Sequence, residues 1–263
     1  MPLMDVNQIK LHYRFDGPHD GSVVMLSHSL SSNLSMWDRQ VPVLVDAGYR
    51  VLRYDSRGHG ESGIPEGPYS MEMLTADAAG LMDALSLDSV HFCGLSMGGM
   101  VGQMMGVLHA GRLRSLMLCS TAAYMGFPEI WDERIDTVRQ KGMAAVADAT
   151  IDRWFTADGQ KRLPVEIETV RRMIVNTPVE GFCACGRAIQ NMDQRESIGA
   201  ITTPTMVVVG EHDPGTPVSA AEFIHSKIAK STLKVVPDAA HFLHVEQSHE
   251  FNDTLIRFLR TKG

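Results

Sequence analysis

Hydrophobic and polar positions along the chain follow first a period of two, then a repeating succession of short apolar runs and helical stripes. Residues 9–15 (Ile-Lys-Leu-His-Tyr-Arg-Phe) alternate as a strand with one buried face does. The turn signals Asp16-Gly17-Pro18 and Asp20-Gly21 follow, and they predict an antiparallel hairpin at the start of the chain. Residues 23–26 (Val-Val-Met-Leu) are apolar without a break, the mark of a strand covered on both faces. The segments 49–54, 89–93, 113–119, 205–209 and 233–236 are predicted as further strands. Helical spacing occupies 36–47, 71–85, 100–109, 217–229 and 251–260. This alternation predicts an α/β fold, a mostly parallel central sheet with helices on both faces.

The rhythm breaks between residues 121 and 198. Successive helical segments are predicted there at 128–140, 143–155, 164–176 and 179–192, with Pro164 and Pro178 placed where first helical turns accept proline. The expected organisation is a core of residues 1–120 and 199–263, with 121–198 as a helical cap inserted over the carboxyl edge of the sheet.

Composition narrows the function. With 263 residues, 44% hydrophobic and 21% charged, the chain is an ordinary globular protein rather than a disordered one. A formal net charge of -7 argues against a nucleic-acid-binding face. No apolar run is long enough for a membrane span, and the first residues lack a signal peptide's basic and apolar regions, so a cytoplasmic location is expected. Cys93, Cys119, Cys183 and Cys185 are expected to be reduced and mostly buried. Nothing in the sequence sets an oligomeric state.

The candidate chemistry centres on Phe92-Cys93-Gly94-Leu95-Ser96-Met97-Gly98-Gly99, between a predicted strand and a predicted helix. A serine in so tight a turn crowds the residues two positions either side, and Gly94 and Gly98 relieve that by lacking a Cβ. The helix N-terminus adds free N–H groups for a developing oxyanion. A serine hydroxyl needs a base, and the base needs an orienting acid. In elbow hydrolases these follow the serine in the order acid, histidine, on loops after late strands. Asp213 follows the run at 205–209, with Glu211 its nearest rival. His241 follows the run at 233–236, with His212, His244 and His249 as rivals. The Leu30 and Met97 N–H groups are the candidate oxyanion hole, and His28 is expected to hold the loop by hydrogen bonds. A metal on His241, His244 and Glu246 is disfavoured by the lack of His-Glu-x-x-His order, and no metal or organic cofactor is expected.

Together, His28 in its loop, Arg57-Gly58-His59-Gly60-Glu61-Ser62, the Ser96 elbow, Asp213 and His241 resemble the α/β-hydrolase superfamily over nearly the whole chain. Within it, Leu52-Arg53-Tyr54-Asp55-Ser56-Arg57-Gly58-His59-Gly60, the elbow and the cap stretches Arg153-Trp154-Phe155-Thr156 and Glu180-Gly181-Phe182 are similar to 3-oxoadipate enol-lactonases. That resemblance implies a serine hydrolase opening a small enol-lactone through an acyl-enzyme, in aromatic catabolism. The sequence departs from the lactonases at His28, where they usually carry asparagine, and at Ser31, where they usually carry glycine. His28 is what many general esterases of the fold carry, so a carboxylesterase for small esters stands as the alternative, and a non-enzymatic ligand receptor on this scaffold as a third. Dehalogenases and epoxide hydrolases of the fold use aspartate at the elbow. The lactone's free carboxylate needs a cation, so Arg134, Arg153 and Arg187 are the cap candidates, with Trp131 and Trp154 as apolar walls.

Overall fold

The computed structural model describes residues 2–261. Eight strands form one sheet: β1 Leu3–Val6, β2 Ile9–Asp16, β3 Val23–Ser27, β4 Arg50–Tyr54, β5 Val90–Leu95, β6 Leu113–Cys119, β7 Thr205–Gly210 and β8 Ser231–Val236. Their spatial order is β1-β2-β4-β3-β5-β6-β7-β8, and pairing is parallel from β4 to β8. The unbroken apolar run at 23–26 is the central strand β3. Every residue of β3 and β5 is buried, as strands covered on both faces must be. Burying a side chain such as Leu26 or Met25 contributes on the order of 1.5–3 kcal/mol, and both are fully buried.

The opening hairpin differs from expectation. It joins β1 to β2 across Asn7 and Gln8, both in the left-handed region (φ 45° and 67°). β2 then pairs antiparallel with β4, not with β3. The Asp16–Gly21 turn signals therefore serve a crossing loop: β3 must leave the sheet edge to become an interior parallel strand. The helix expected at 36–47 is also divided, into a 3₁₀ turn Leu34–Trp37 and a short α1 Val41–Asp46. Pro42 sits in the first turn of α1, where its missing N–H does no harm; inside a longer helix it would break a bond.

The core helices are α2 Met71–Ala84, α3 Met97–Leu108, α9 Val218–Lys227, α10 Leu243–Glu246 and α11 Ser248–Arg260. Ser70 caps α2 by accepting the Met73 N–H. Between β6 and β7 lie α4 Pro128–Lys141, α5 Ala144–Trp154, α6 Ala157–Arg162, α7 Pro164–Val175 and α8 Val179–Asn191. These pack on one another, α4 against α8 and α5 against α7. The short α6 lies where no helix was expected.

The sheet order dictates where a site can form. β3 leads to β4 on one side, and β4 leads back across to β5 on the other. Connections diverge at the carboxyl ends of β3 and β5, which opens a crevice there.

Candidate active site

Ser96 stands at that crevice, between β5 and α3, with φ 58° and ψ -115°. A non-glycine residue held so is strained, and such strain persists only where the surroundings enforce it. Here the Ser96 N–H donates to the Cys119 carbonyl (2.9 Å) and the Thr121 hydroxyl donates to the Ser96 carbonyl (2.9 Å). The flanking glycines are obligatory: a Cβ on Gly94 would lie 2.1 Å from the Gly98 carbonyl oxygen, and one on Gly98 would lie 2.2 Å from the Ser27 carbonyl oxygen. The Ser96 side chain makes no hydrogen bond to protein among the described residues and lines a cavity of about 70 Å³.

His241 lines the same cavity, as do Leu30, Trp131, Arg134, Arg153, Trp154, Asp213 and Thr216. The His241 Nδ1 is 2.8 Å from Asp213 Oδ2. The other Asp213 oxygen accepts the N–H groups of Gly215 (2.9 Å) and Thr216 (3.0 Å), and the Thr216 hydroxyl donates to Oδ2 (2.7 Å). Burial alone would raise this carboxyl. The facing His241 and the hydrogen bonds from His241 and Thr216 outweigh it, so the group is held below its ordinary value. Asp213 therefore remains an anion that fixes Nδ1–H and leaves His241 Nε2 free to accept a proton.

The rivals lie elsewhere. Glu211 and His212 are exposed beside Asp238, outside the cavity. His244 is buried against Trp37, Phe242 and Phe251, with Nε2 3.1 Å from the Met36 carbonyl oxygen. Glu246 accepts from Thr156 and Ala240 and is engaged on both oxygens.

The loop after β3 is braced by histidines. His28 Nε2 accepts the Ser56 N–H (2.8 Å) and its Nδ1–H donates to the Ser29 carbonyl (2.7 Å). The two backbone partners hold a neutral tautomer, and burial lowers its pKa. His59 Nε2 accepts the Ser31 N–H (3.2 Å). No acceptor is found for the Leu30 or Met97 N–H groups among the described residues. Met97 is the first residue of α3, where N–H groups lack an intrahelical partner.

The far wall carries charge. Arg134 and Arg153 both line the cavity, and neither has a carboxylate within 4.0 Å among the described residues. The buried Arg134 Nε has no hydrogen-bond partner. Its guanidinium lies 5.3 Å from the Trp131 ring and 5.4 Å from the Phe182 ring, a partial compensation. Burial, then the like charge of Arg153, push the Arg134 pKa down to about 9. Arg134 keeps some accessible surface, as the wall of an open cavity does. Among the described residues Arg153 donates only to the Thr150 hydroxyl (3.2 Å). Arg187, the third cation considered, is absent from this wall; it pairs with Asp132 and Gln190 on the outer side of the cap.

Residues 22–248 match the family model for the alpha/beta hydrolase fold. The chain belongs to the α/β-hydrolase family. Its resemblance to the enol-lactonases extends to curated relatives: it is 34% identical over 249 residues to 3-oxoadipate enol-lactonase 2 of Acinetobacter baylyi, covering 95% of this chain and 92% of that one. Among solved structures, the enol-lactonase from Burkholderia xenovorans LB400 superposes with a TM-score of 0.96 at 41% identity, covering 98% and 100% of the two chains. A thermophilic esterase from Thermogutta terrifontis superposes with a TM-score of 0.93 at 31% identity, covering 99% and 98%. The mostly parallel sheet with a helical cap is thus an α/β-hydrolase fold, and no helix of the described residues is long and apolar enough to cross a membrane.

Thr216 escaped the sequence reading. Its signal was present: an aspartate followed two and three residues later by N–H donors, just before the proline that leads into α9, is the spacing of a side-chain-closed turn.

Proposed function

We propose that this hydrolase of esters or lactones opens 3-oxoadipate enol-lactone through an acyl-enzyme on Ser96. The observation that carries the substrate is the Arg134–Arg153 wall: two cations without carboxylate partners face the cavity that Ser96 and His241 line. A buried cation left unpaired is costly, and a substrate carboxylate supplies the missing partner. A neutral ester has no such group.

In this reading Ser96 Oγ attacks the lactone carbonyl carbon while its proton passes to His241 Nε2. The oxyanion is met by the Leu30 and Met97 N–H groups. The ring C–O bond then breaks, and the enol oxygen takes the proton from His241. A water, deprotonated by the same imidazole, attacks the acyl carbon, and Ser96 Oγ leaves with the proton from His241; the released enol tautomerises in water to 3-oxoadipate. Asp213 holds the imidazolium throughout, its oxygens held in place by hydrogen bonds from Gly215 and Thr216. Every step uses side chains and backbone of this chain, with no metal or organic cofactor.

The second reading is a carboxylesterase for small neutral esters. It is favoured by His28 in the oxyanion loop, and by Trp131, Trp154, Met125 and Ile189 on the cavity wall. A receptor without turnover would have no use for the ordered Asp213–His241 pair. Comparing kcat/KM for the enol-lactone and for short aryl esters separates the two enzyme readings. A clear preference for the lactone supports the proposal, and a preference for neutral esters reverses it.

A further inference from the structure

The loop that carries His241 is tied to the cap rather than only to the sheet. The Phe242 N–H donates to the Trp154 carbonyl (2.8 Å), joining the residue after His241 to the last residue of α5. The Trp154 indole stacks on the Phe242 ring (centroids 4.1 Å, planes 9° apart) and lies over His241 (6.1 Å, 27°). The residue before His241 is held by a buried side chain: the Ala240 N–H donates to Glu246 Oε2 (2.9 Å). The other oxygen, Oε1, accepts from the Thr156 N–H (3.0 Å) and the Thr156 hydroxyl (2.5 Å). Thr156 leads from α5 into α6. One carboxylate, buried to 3% exposure, thus bridges the catalytic loop and the cap. The site is shaped for it, because a Cβ on Gly159 would fall 1.9 Å from Glu246 Oε1.

We infer that Glu246 is a positioning residue that sets His241 against Ser96 by clamping the Ala240 N–H to Thr156 of the cap. It touches neither substrate nor the reacting atoms. Its effect passes through the backbone on either side of His241: Glu246 holds Ala240, and the Trp154 carbonyl holds Phe242. Both anchors follow directly on Arg153, so the segment that lines the far wall of the cavity also fixes the base. A cap displaced by the loss of the clamp moves the imidazole while the Asp213 pair stays intact. The inference rests on the proposed roles of Ser96 and His241.

Glu246→Gln separates the two ends of the clamp. Its amide oxygen still accepts from Thr156, but its NH₂ group then faces the Ala240 N–H, donor against donor. Thr156→Val removes the hydroxyl from the cap end, and Thr156→Ser restores it. Turnover of a neutral 4-nitrophenyl ester is measured for each, with active sites counted by a phosphonate that labels Ser96, so that unfolded protein does not enter kcat. A misplaced catalytic group costs up to about 10²-fold. The expected result is a kcat per titrated serine about 10- to 100-fold lower in Glu246→Gln, with little change in KM. Thr156→Val should move in the same direction and Thr156→Ser should recover. A Glu246→Gln protein with the wild-type kcat per titrated serine overturns the inference alone. So does a loss confined to thermal stability, or equal behaviour of the valine and serine variants. A wild type that takes up no phosphonate and leaves the ester intact overturns the hydrolytic roles themselves, and the inference with them.

Discussion

Asp213 Oδ2 lies 2.8 Å from His241 Nδ1, whereas Glu211, two residues earlier on the same loop, is exposed and accepts nothing from that ring. In the proposed mechanism the acid that orients the base is thus Asp213, which turns inward at the carboxyl end of β7. Asp213→Asn should lower kcat by about 10⁴ through the wrong tautomer and the lost imidazolium partner. Glu211→Gln, a surface change, should stay within about twofold. Steady-state kinetics of the two variants on one ester check this, and equal activities would refute it.

The Arg134 wall makes a charge-specific prediction. Arg134→Met keeps much of the apolar stem against Trp131 and Phe182 while removing the guanidinium. A charge-assisted hydrogen bond is worth about 1.5–3 kcal/mol, so the ratio of lactone to neutral-ester kcat/KM should fall roughly 10- to 100-fold. Arg187→Met, outside the cavity and paired with Asp132, should leave the ratio unchanged. A ratio unaltered by Arg134→Met and by Arg153→Met together would move the neutral-ester reading ahead.

The elbow makes a steric one. A methyl at Gly98 meets the Ser27 carbonyl oxygen at 2.2 Å, a backbone atom that has no room to yield. Gly98→Ala should cost about 3 kcal/mol of stability, the upper end for overpacking. Gly111→Ala, where nothing lies within 4 Å of an added Cβ, is the control. Urea unfolding of both proteins measures the difference, and near-equal midpoints would contradict it.

Buried histidines set an acid limit. Burial, then competition with the adjacent His28 ring for a proton, push His59 from its ordinary 6.5 down to about 3. Burial likewise lowers His244 to about 3. These rings stay neutral in the folded protein while the unfolded chain takes up protons below about pH 6.5. The unfolded state thus binds more protons between roughly pH 6.5 and 3, and stability falls as pH falls through that window. Each such ring contributes up to about 1.4 kcal/mol per pH unit. His59→Gln, whose amide oxygen can accept the Ser31 N–H, should make the slope shallower by about one proton. Denaturant titrations from pH 7 to pH 4 would show this, and an unchanged slope would show that His59 is not buried neutral.

Much of the fold was written in local pattern. The unbroken run of β3 and the stripe of α2 carry their own signatures, because parallel strands and surface helices differ in which faces they bury. The elbow was legible because its steric demand lands on named positions, Gly94 and Gly98. Strand partners were not: that β2 pairs with β4 depends on where β3 fits in the sheet, which no window around residues 9–15 contains. Arg134, Arg153 and Arg187 look alike as sequence, and only the turn of α4, α5 and α8 decides which two face the cavity. The Glu246 clamp was likewise invisible, since its partners Thr156 and Ala240 belong to segments brought together by the cap.

Ser96 as the nucleophile that opens the enol-lactone is tested most directly by spectrophotometric loss of that lactone with wild type and Ser96→Ala. Wild-type kcat/KM is expected at about 10⁴ M⁻¹ s⁻¹ or more, within the usual range for enzymes on their own substrates. Ser96→Ala should be slower by about 10⁴-fold or more. A wild type that cleaves aryl esters yet opens the lactone no faster than Ser96→Ala would contradict it.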